Sequence, residues 1–237
     1  MFELVGGDIE ARGWSLIKSA VPAKTIARIG AWLDVASQTA EVGGPLEPEF
    51  EPESKTARKI RRLFWNDPKF WKTALNEANV FGIANRTIGS KAVMTFNAAF
   101  MKPPEIGSYT AFHQDQFLWK YVYPKAVNIW MPLADATVDN GCMQVCSGSH
   151  RSGLFPHLPL KGHPYHNGID ILDCGLAPQP VEMEAGDLLV WDRYLVHGSA
   201  ANLSESARPA VVSVFVDPTV EGFATTDAYH LEDQRVT

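Results

Sequence analysis

The sequence predicts a mainly β fold with flanking helices, built on a double-stranded β-helix (jelly roll), and three observations predict it. Apolar residues at helical spacing are confined to the first third of the chain. From about residue 91 to 217 they give way to short strand-like runs divided by Gly, Pro, Asn and Asp. Finally, His113 and Asp115 stand two apart and His197 follows 84 residues later. In an extended segment residues i and i+2 project to one side. All three side chains meet only if a later strand returns alongside the first, as strands do in a jelly roll.

The elements follow in order. One domain is expected over residues 1–237, with N-terminal helices at about 8–80, a jelly-roll core at about 91–217 and a polar tail at 218–237. After a short lead-in, Trp14-Ser15-Leu16-Ile17 is a strand. Pro22 opens a helix to about Thr39, with Ile26, Ile29, Leu33 and Ala36 on one face. Residues 41–54 hold three Pro, two Gly and five Glu and read as a mobile loop. That loop is either a solvated connection or a flap over the site. A basic helix or turn is expected from Lys55 to Phe64. Asp67-Pro68 then caps and opens a helix through about Asn79.

Ala92–Met101 is the next strand, stopped by Pro103-Pro104. Residues 126–133 form another. The Asp139-Asn140-Gly141 turn is expected to return Cys142–Cys146 antiparallel to it. Residues 147–180, rich in Gly, Pro and His, are a long excursion. Strands resume near Val181 and at Asp187–Trp191, across an Ala185-Gly186-Asp187 turn, and Ala210–Val216 is the last. Helices first and strands afterwards give a β core buttressed by helices.

Composition narrows the function. With 46% hydrophobic and 20% charged residues the chain is an ordinary globular protein. A net charge of −6 argues against nucleic acid as the main partner. No run of 18 apolar residues predicts a membrane span, and the N-terminus lacks the basic and apolar regions of a signal peptide. Cys142, Cys146 and Cys174 do not pair evenly and read as reduced thiols, which places the protein in the cytoplasm.

Two imidazoles and a carboxylate on one face of a metal are the ligands of a mononuclear non-haem iron site, with the opposite face open. His113, Asp115 and His197 are therefore the candidate metal ligands and catalytic residues, while Gln114 points elsewhere. Arg208, eleven residues after His197, is a cation able to pair bidentately with a dicarboxylate co-substrate. Phe117, Trp119 and Tyr121 continue the period of two after Asp115; if extended they line a substrate cavity, or else pack the core. Among the loop histidines, His163 and His166 are candidate substrate contacts.

Taken together the motifs resemble the phytanoyl-CoA hydroxylase-like (PhyH) family of iron(II)/2-oxoglutarate oxygenases. The likeness runs from about Gly13 to Asp217. It is carried by Lys102-Pro103-Pro104, Phe112-His113-Gln114-Asp115, the run Asn128 to Leu133, Asn140 to Val145 and Ser147-Gly148-Ser149-His150. Ala185-Gly186-Asp187, His197-Gly198-Ser199, Asn202 and Arg208 complete it. Ser147 stands where the family more often has Pro.

The resemblance implies iron on His113, Asp115 and His197, and the distal carboxylate of 2-oxoglutarate on Arg208, helped by Ser199. It also implies that Gln114 and Trp130 line the co-substrate pocket and that a basic residue, Arg61 or Arg62, reaches the site from the N-terminal side. The implied cofactors are iron(II), 2-oxoglutarate and O2, with ascorbate as a stimulant. The implied reaction couples conversion of 2-oxoglutarate to succinate and CO2 to hydroxylation of a small metabolite or natural-product intermediate. Desaturation, epimerisation and cyclisation use the same cofactors and stay open, as does a non-catalytic, cupin-like sensor.

Overall fold

Two facing antiparallel sheets decide where the site lies. The computed structural model describes residues 8–89, 92–160, 166–221, 223 and the backbone of 229–230. Its strands are β1 (Trp14–Ile17), β2 (Glu47–Phe50), β3 (Ala57–Arg61), β4 (Val93–Phe100), β5 (Thr110–His113) and β6 (Ala126–Pro132). They continue with β7 (Met143–Val145), β8 (Gln179–Val181), β9 (Leu188–Asp192), β10 (His197–Ser199), β11 (Ala210–Val216) and β12 (Tyr229–His230). The larger sheet runs β1-β9-β6-β11-β4-β3-β2, with β12 beside β4; the smaller runs β5-β10-β7-β8. This is the jelly roll that the strand order predicts.

The helices are α1 (Ala23–Thr39), α2 (Leu63–Asn66), α3 (Pro68–Glu77), α4 (Val80–Ile88) and α5 (Asp115–Leu118). The first four cover the outer face of the larger sheet. Ile29 and Leu33 of α1, Trp71 and Leu75 of α3 and Phe81 and Ile83 of α4 share one core with Ile129, Met131, Val190, Val211 and Phe215. The alternate residues of the same strands, among them Asn128, Trp130, Val212 and Val214, face inward and line the cavity. Strands covered on both faces read as continuous apolar runs, and β11 is buried along its whole length. Asp67 caps α3 by accepting the Phe70 amide at 3.1 Å.

Several expectations change. The segment read as a loop at 41–54 contains β2, and the basic stretch read as a helix or turn contains β3. The two form a hairpin that extends the larger sheet at its edge. Pro48 is tolerated because an edge strand pairs on one side only. The N-terminal third thus adds β2 and β3 to the expected strand β1, and all three join the larger sheet. α4 was not expected; it follows α3 through Asn79, held at φ 55° in the left-handed region. The Asp139-Asn140-Gly141 turn does not make a hairpin: β6 pairs with β9 and β11, whereas β7 pairs with β8 and β10. The chain crosses between sheets there, and it crosses again between β8 and β9. Of the tail, β12 adds two residues to the larger sheet. No helix among the described residues is long and apolar enough to cross a membrane.

Candidate active site

β5 and β10 are antiparallel neighbours with His113 directly opposite His197, so the 84-residue separation closes through one strand pairing. Gly198 permits the close approach: a Cβ there would stand 2.9 Å from the Thr110 carbonyl oxygen. Gln114 keeps an extended backbone, and Asp115 opens the single turn α5. That turn swings the carboxylate toward the histidines. His113 Nε2 and His197 Nε2 each lie 3.7 Å from a carboxylate oxygen of Asp115. One ligand atom from each of the three residues lies within 4.8 Å of the other two.

The tautomers follow from the partners. His113 Nδ1 is 2.8 Å from the Ala111 carbonyl and His197 Nδ1 is 3.0 Å from the Leu195 carbonyl. A carbonyl only accepts, so both Nδ1 atoms carry the proton and both Nε2 lone pairs are free for a metal. Burial pushes the His197 imidazole down to about 4, against the pull of Asp115, so it is neutral near pH 7. Burial alone would raise the Asp115 carboxyl. The neighbouring His197 and His113 side chains, with the Trp191 indole N–H donated to Asp115 Oδ2 at 2.9 Å, hold it instead at about 2.

These residues open into a cavity of about 590 Å³ between the sheets. Arg208, Ser199 and Trp130 line it as expected positions for a co-substrate. The Arg208 guanidinium is buried 5.1 Å from the Trp130 ring centre, and its Nε and one Nη have no hydrogen-bond partner among the described residues. Asn128 Nδ2, also in the wall, is another orphaned donor. Buried donors without acceptors cost stability, so a cavity that presents them fits an anionic ligand. The two Nε2 lone pairs and the ionised carboxylate equally fit a divalent metal. Both the metal and the dicarboxylate thus match the residues present.

Lys102, beside Arg208, donates to the Ser108 carbonyl at 2.8 Å and to the Ala200 carbonyl. Burial, then the charges of Arg208 and Arg58, push its ammonium down to about 6.

Other expectations meet a different geometry. Gln114 is fully buried away from the cavity. Its amide donates to Gly153 and Tyr194 carbonyls, each at 2.7 Å, and its oxygen accepts the Phe155 amide at 2.8 Å. It pins the excursion after β7, as its outward turn from an extended backbone requires. Phe117 is 41% exposed and lies flat on His157, with ring centres 4.0 Å apart. The helical turn α5 breaks the period of two and rotates Phe117 out of the cavity. Trp119 and Tyr121 do line the cavity. So does His166, whose ring centre is 4.6 Å from that of His113. His163 lies outside the described residues. Arg61 reaches the cavity wall; Arg62, at φ 63°, does not line it and sits 3.9 Å from Glu47.

Sequence reasoning missed Trp191, Asn128, Lys59 and Lys102. For Asn128 and Trp191 the signal was the period of two within β6 and β9. For Lys59 it was hidden by the absence of a strand assignment.

Comparison with known proteins gives a consistent picture. The model of the phytanoyl-CoA dioxygenase (PhyH) family matches residues 9–210. A "Probable phytanoyl-CoA dioxygenase" of Caenorhabditis elegans is 28% identical over 85% of this chain and 71% of its own length. "Phytanoyl-CoA dioxygenase 1" of Oryza sativa is 30% identical over 64% of this chain and 54% of its own. The chain spans little more than half the length of several such relatives. Among solved structures, the epimerase SnoN in complex with Fe3+, alpha ketoglutarate and nogalamycin RO is similar at a TM-score of 0.75 and 18% identity. It covers 95% of this chain and 87% of its own. The non-heme alpha ketoglutarate dependent carbocyclase SnoK is similar at 0.72 and 19% identity, covering 99% and 90%.

Proposed function

The chain belongs to the phytanoyl-CoA dioxygenase family, and from that premise we propose that it is an iron(II)- and 2-oxoglutarate-dependent oxygenase that hydroxylates a small molecule. One observation carries the reading: the buried, partly unpartnered Arg208 guanidinium opens into the same cavity as the His113–Asp115–His197 cluster.

Iron and 2-oxoglutarate supply the oxidising chemistry, with succinate and CO2 as by-products. The chain's own residues hold and orient. His113 and His197 present Nε2, each fixed by its Nδ1–H on a backbone carbonyl. Asp115 brings the negative charge and is itself oriented by Trp191. Arg208 takes the far carboxylate of the co-substrate, whose oxygens supply the acceptors that its fork lacks. The Ser199 hydroxyl and Asn128 add polar contacts in the same wall. Trp130, Val212 and Val214 keep water away from it. Ascorbate, which keeps iron reduced, is expected to stimulate turnover. The unpaired thiols Cys142 and Cys146 favour a cytoplasmic location.

A second reading keeps the cofactors and changes the outcome to epimerisation, desaturation or cyclisation; the similar folds of SnoN and SnoK favour it. The test is succinate formation from 2-oxoglutarate with iron(II) and ascorbate across a metabolite panel. Turnover with 18O in the product supports the hydroxylase. Turnover with an unoxygenated product supports the second reading. Binding of metal and 2-oxoglutarate without turnover by any compound would leave a sensor.

A further inference from the structure

Alternate residues of β11 step away from the co-substrate end of the cavity. Val212 is opposite Trp130 of β6, Val214 is opposite Asn128 of β6 and Phe96 of β4, and Val216 is opposite Ala126 and Val93. Arg208 packs on Trp130, so the first of these rungs goes with the co-substrate. Trp191 is opposite Asn128 and donates to Asp115, so the second goes with the metal cluster. The third is a further strand step of roughly 7 Å along the sheet. Tyr123 packs on it, flanked by Trp119 and Tyr121. The metal cluster therefore lies between the co-substrate end and an aromatic end.

Trp119, Tyr121 and Tyr123 all line the cavity. Trp119 meets Tyr123 edge to face with ring centres 5.7 Å apart, and Tyr121 meets it at 6.1 Å. Phe223 backs both tyrosines, at 5.9 Å and 6.0 Å. Tyr123 is 7% exposed, yet its hydroxyl has no hydrogen-bond partner among the described residues. A buried tyrosine ordinarily finds one. Burial, then Tyr121 beside it, raises this phenol above its ordinary value, so it keeps its proton at neutral pH. A phenol shares its lone pairs with the ring and donates better than it accepts. The cavity thus holds an unsatisfied donor inside an aromatic wall.

Resting on the oxygenase reading, we propose that the substrate is a neutral aromatic carbonyl compound whose ring lies among Trp119, Tyr121 and Tyr123 and whose carbonyl oxygen accepts the Tyr123 hydroxyl. An aromatic ring gains stacked and edge contacts with this wall that a saturated ring of the same size does not. A carbonyl satisfies the buried donor, whereas an apolar group of the same shape leaves it unpaired. A carboxylate suits the position less well. Tyr123 packs among Val93, Ala126, Val214 and Val216, which would take water from an anion and return no charge. Lys120, on the same stretch, is exposed to solvent with its ammonium 5.0 Å from the Tyr121 ring centre.

The experiment uses the full chain, anaerobic and loaded with iron(II) and 2-oxoglutarate. The probes are 1-tetralone, tetralin without its carbonyl, 1-decalone without its aromatic ring, and tetrahydro-1-naphthoate as the charged analogue. Binding is read from the change each causes in the metal-to-ligand charge-transfer band. 1-Tetralone should half-saturate at a concentration about fivefold below those of tetralin and 1-decalone, with the naphthoate weakest. Tyr123→Phe keeps the ring and removes only the hydroxyl. It should raise the half-saturating concentration of 1-tetralone about fivefold and leave that of tetralin unchanged. The 2-oxoglutarate titration of that variant should match the wild type, which also shows that it is folded. The proposal is overturned if 1-tetralone binds no better than tetralin or 1-decalone, or if the naphthoate binds tightest. It is equally overturned if Tyr123→Phe binds 1-tetralone normally, if it weakens 1-tetralone and tetralin alike, or if the wild type is indifferent to 1-tetralone. A wild type with no charge-transfer band is the distinct result that would bring down the oxygenase reading beneath it.

Discussion

Replacing Arg208 by Met should make the empty protein more stable while destroying its affinity for 2-oxoglutarate. The side chain is 2% exposed, and burial pulls its guanidinium well below its ordinary value, down to about 10. The folded state therefore binds this proton less well than the unfolded chain does. Below pH 10 the charged form destabilises the fold by about 3 kcal/mol, at roughly 1.4 kcal/mol per tenfold. Methionine fills similar space without charge. Part of the gain is offset by lost contacts with Trp130, leaving a net stabilisation of about 1–3 kcal/mol. Denaturant unfolding of metal-free protein at neutral pH reads this directly. With co-substrate the order reverses: losing the partner of a desolvated carboxylate costs about 2–5 kcal/mol. Anaerobic titration should then show 2-oxoglutarate affinity reduced at least about 30-fold, with iron affinity little changed. A less stable apo variant that still bound 2-oxoglutarate normally would refute the reasoning, because it would make Arg208 a structural cation.

Three further outcomes are expected. Trp191→Phe removes the N–H donated to Asp115 and should weaken iron binding about tenfold or more, measured by chelator competition, with the fold intact. Gln114→Leu strands the Phe155 amide and two carbonyls, so it should cost about 3 kcal/mol in denaturant unfolding, yet leave 2-oxoglutarate affinity in the folded protein unchanged. Lys102 is driven to about 6 by burial and then by Arg208 and Arg58, against 10.5 in the unfolded chain. Its penalty is fully present below about pH 6 and relieved as pH rises toward 10.5. Apo stability should thus climb between about pH 6.5 and about pH 8.5, and Lys102→Met should flatten that climb.

The His113–Asp115–His197 cluster was legible because ligand chemistry restricts the residue types and strand pairing brings the two histidines together. His113 and His197 needed only one returning strand, whereas Asp115 reaches them through the turn that opens α5 and not through a period of two. The α1 helix and the Asp67 cap were legible for a similar reason, since apolar spacing and capping are local. What was hidden depends on distant partners. The β2–β3 hairpin has the prolines and glutamates of a loop, and only its place at a sheet edge makes Pro48 acceptable there. Lys59 and Arg61 carry a strand's period of two, but their charge suggests solvent until the cavity is seen behind them. Phe117 shows the opposite failure. Its spacing from Asp115 is right for a strand, but α5 starts at Asp115 itself, and one helical turn moves the ring onto His157. Gln114 beside the ligands was drawn toward the co-substrate by likeness, whereas its amide satisfies backbone groups of a loop some forty residues away in sequence.

Anomalous diffraction from crystals grown anaerobically with iron(II) and 2-oxoglutarate tests the central claim most directly. The expected result is a single iron peak bonded to His113 Nε2, His197 Nε2 and an Asp115 oxygen, with the far carboxylate of 2-oxoglutarate paired to Arg208. Iron bound elsewhere, or a co-substrate whose carboxylate avoids Arg208, would contradict it.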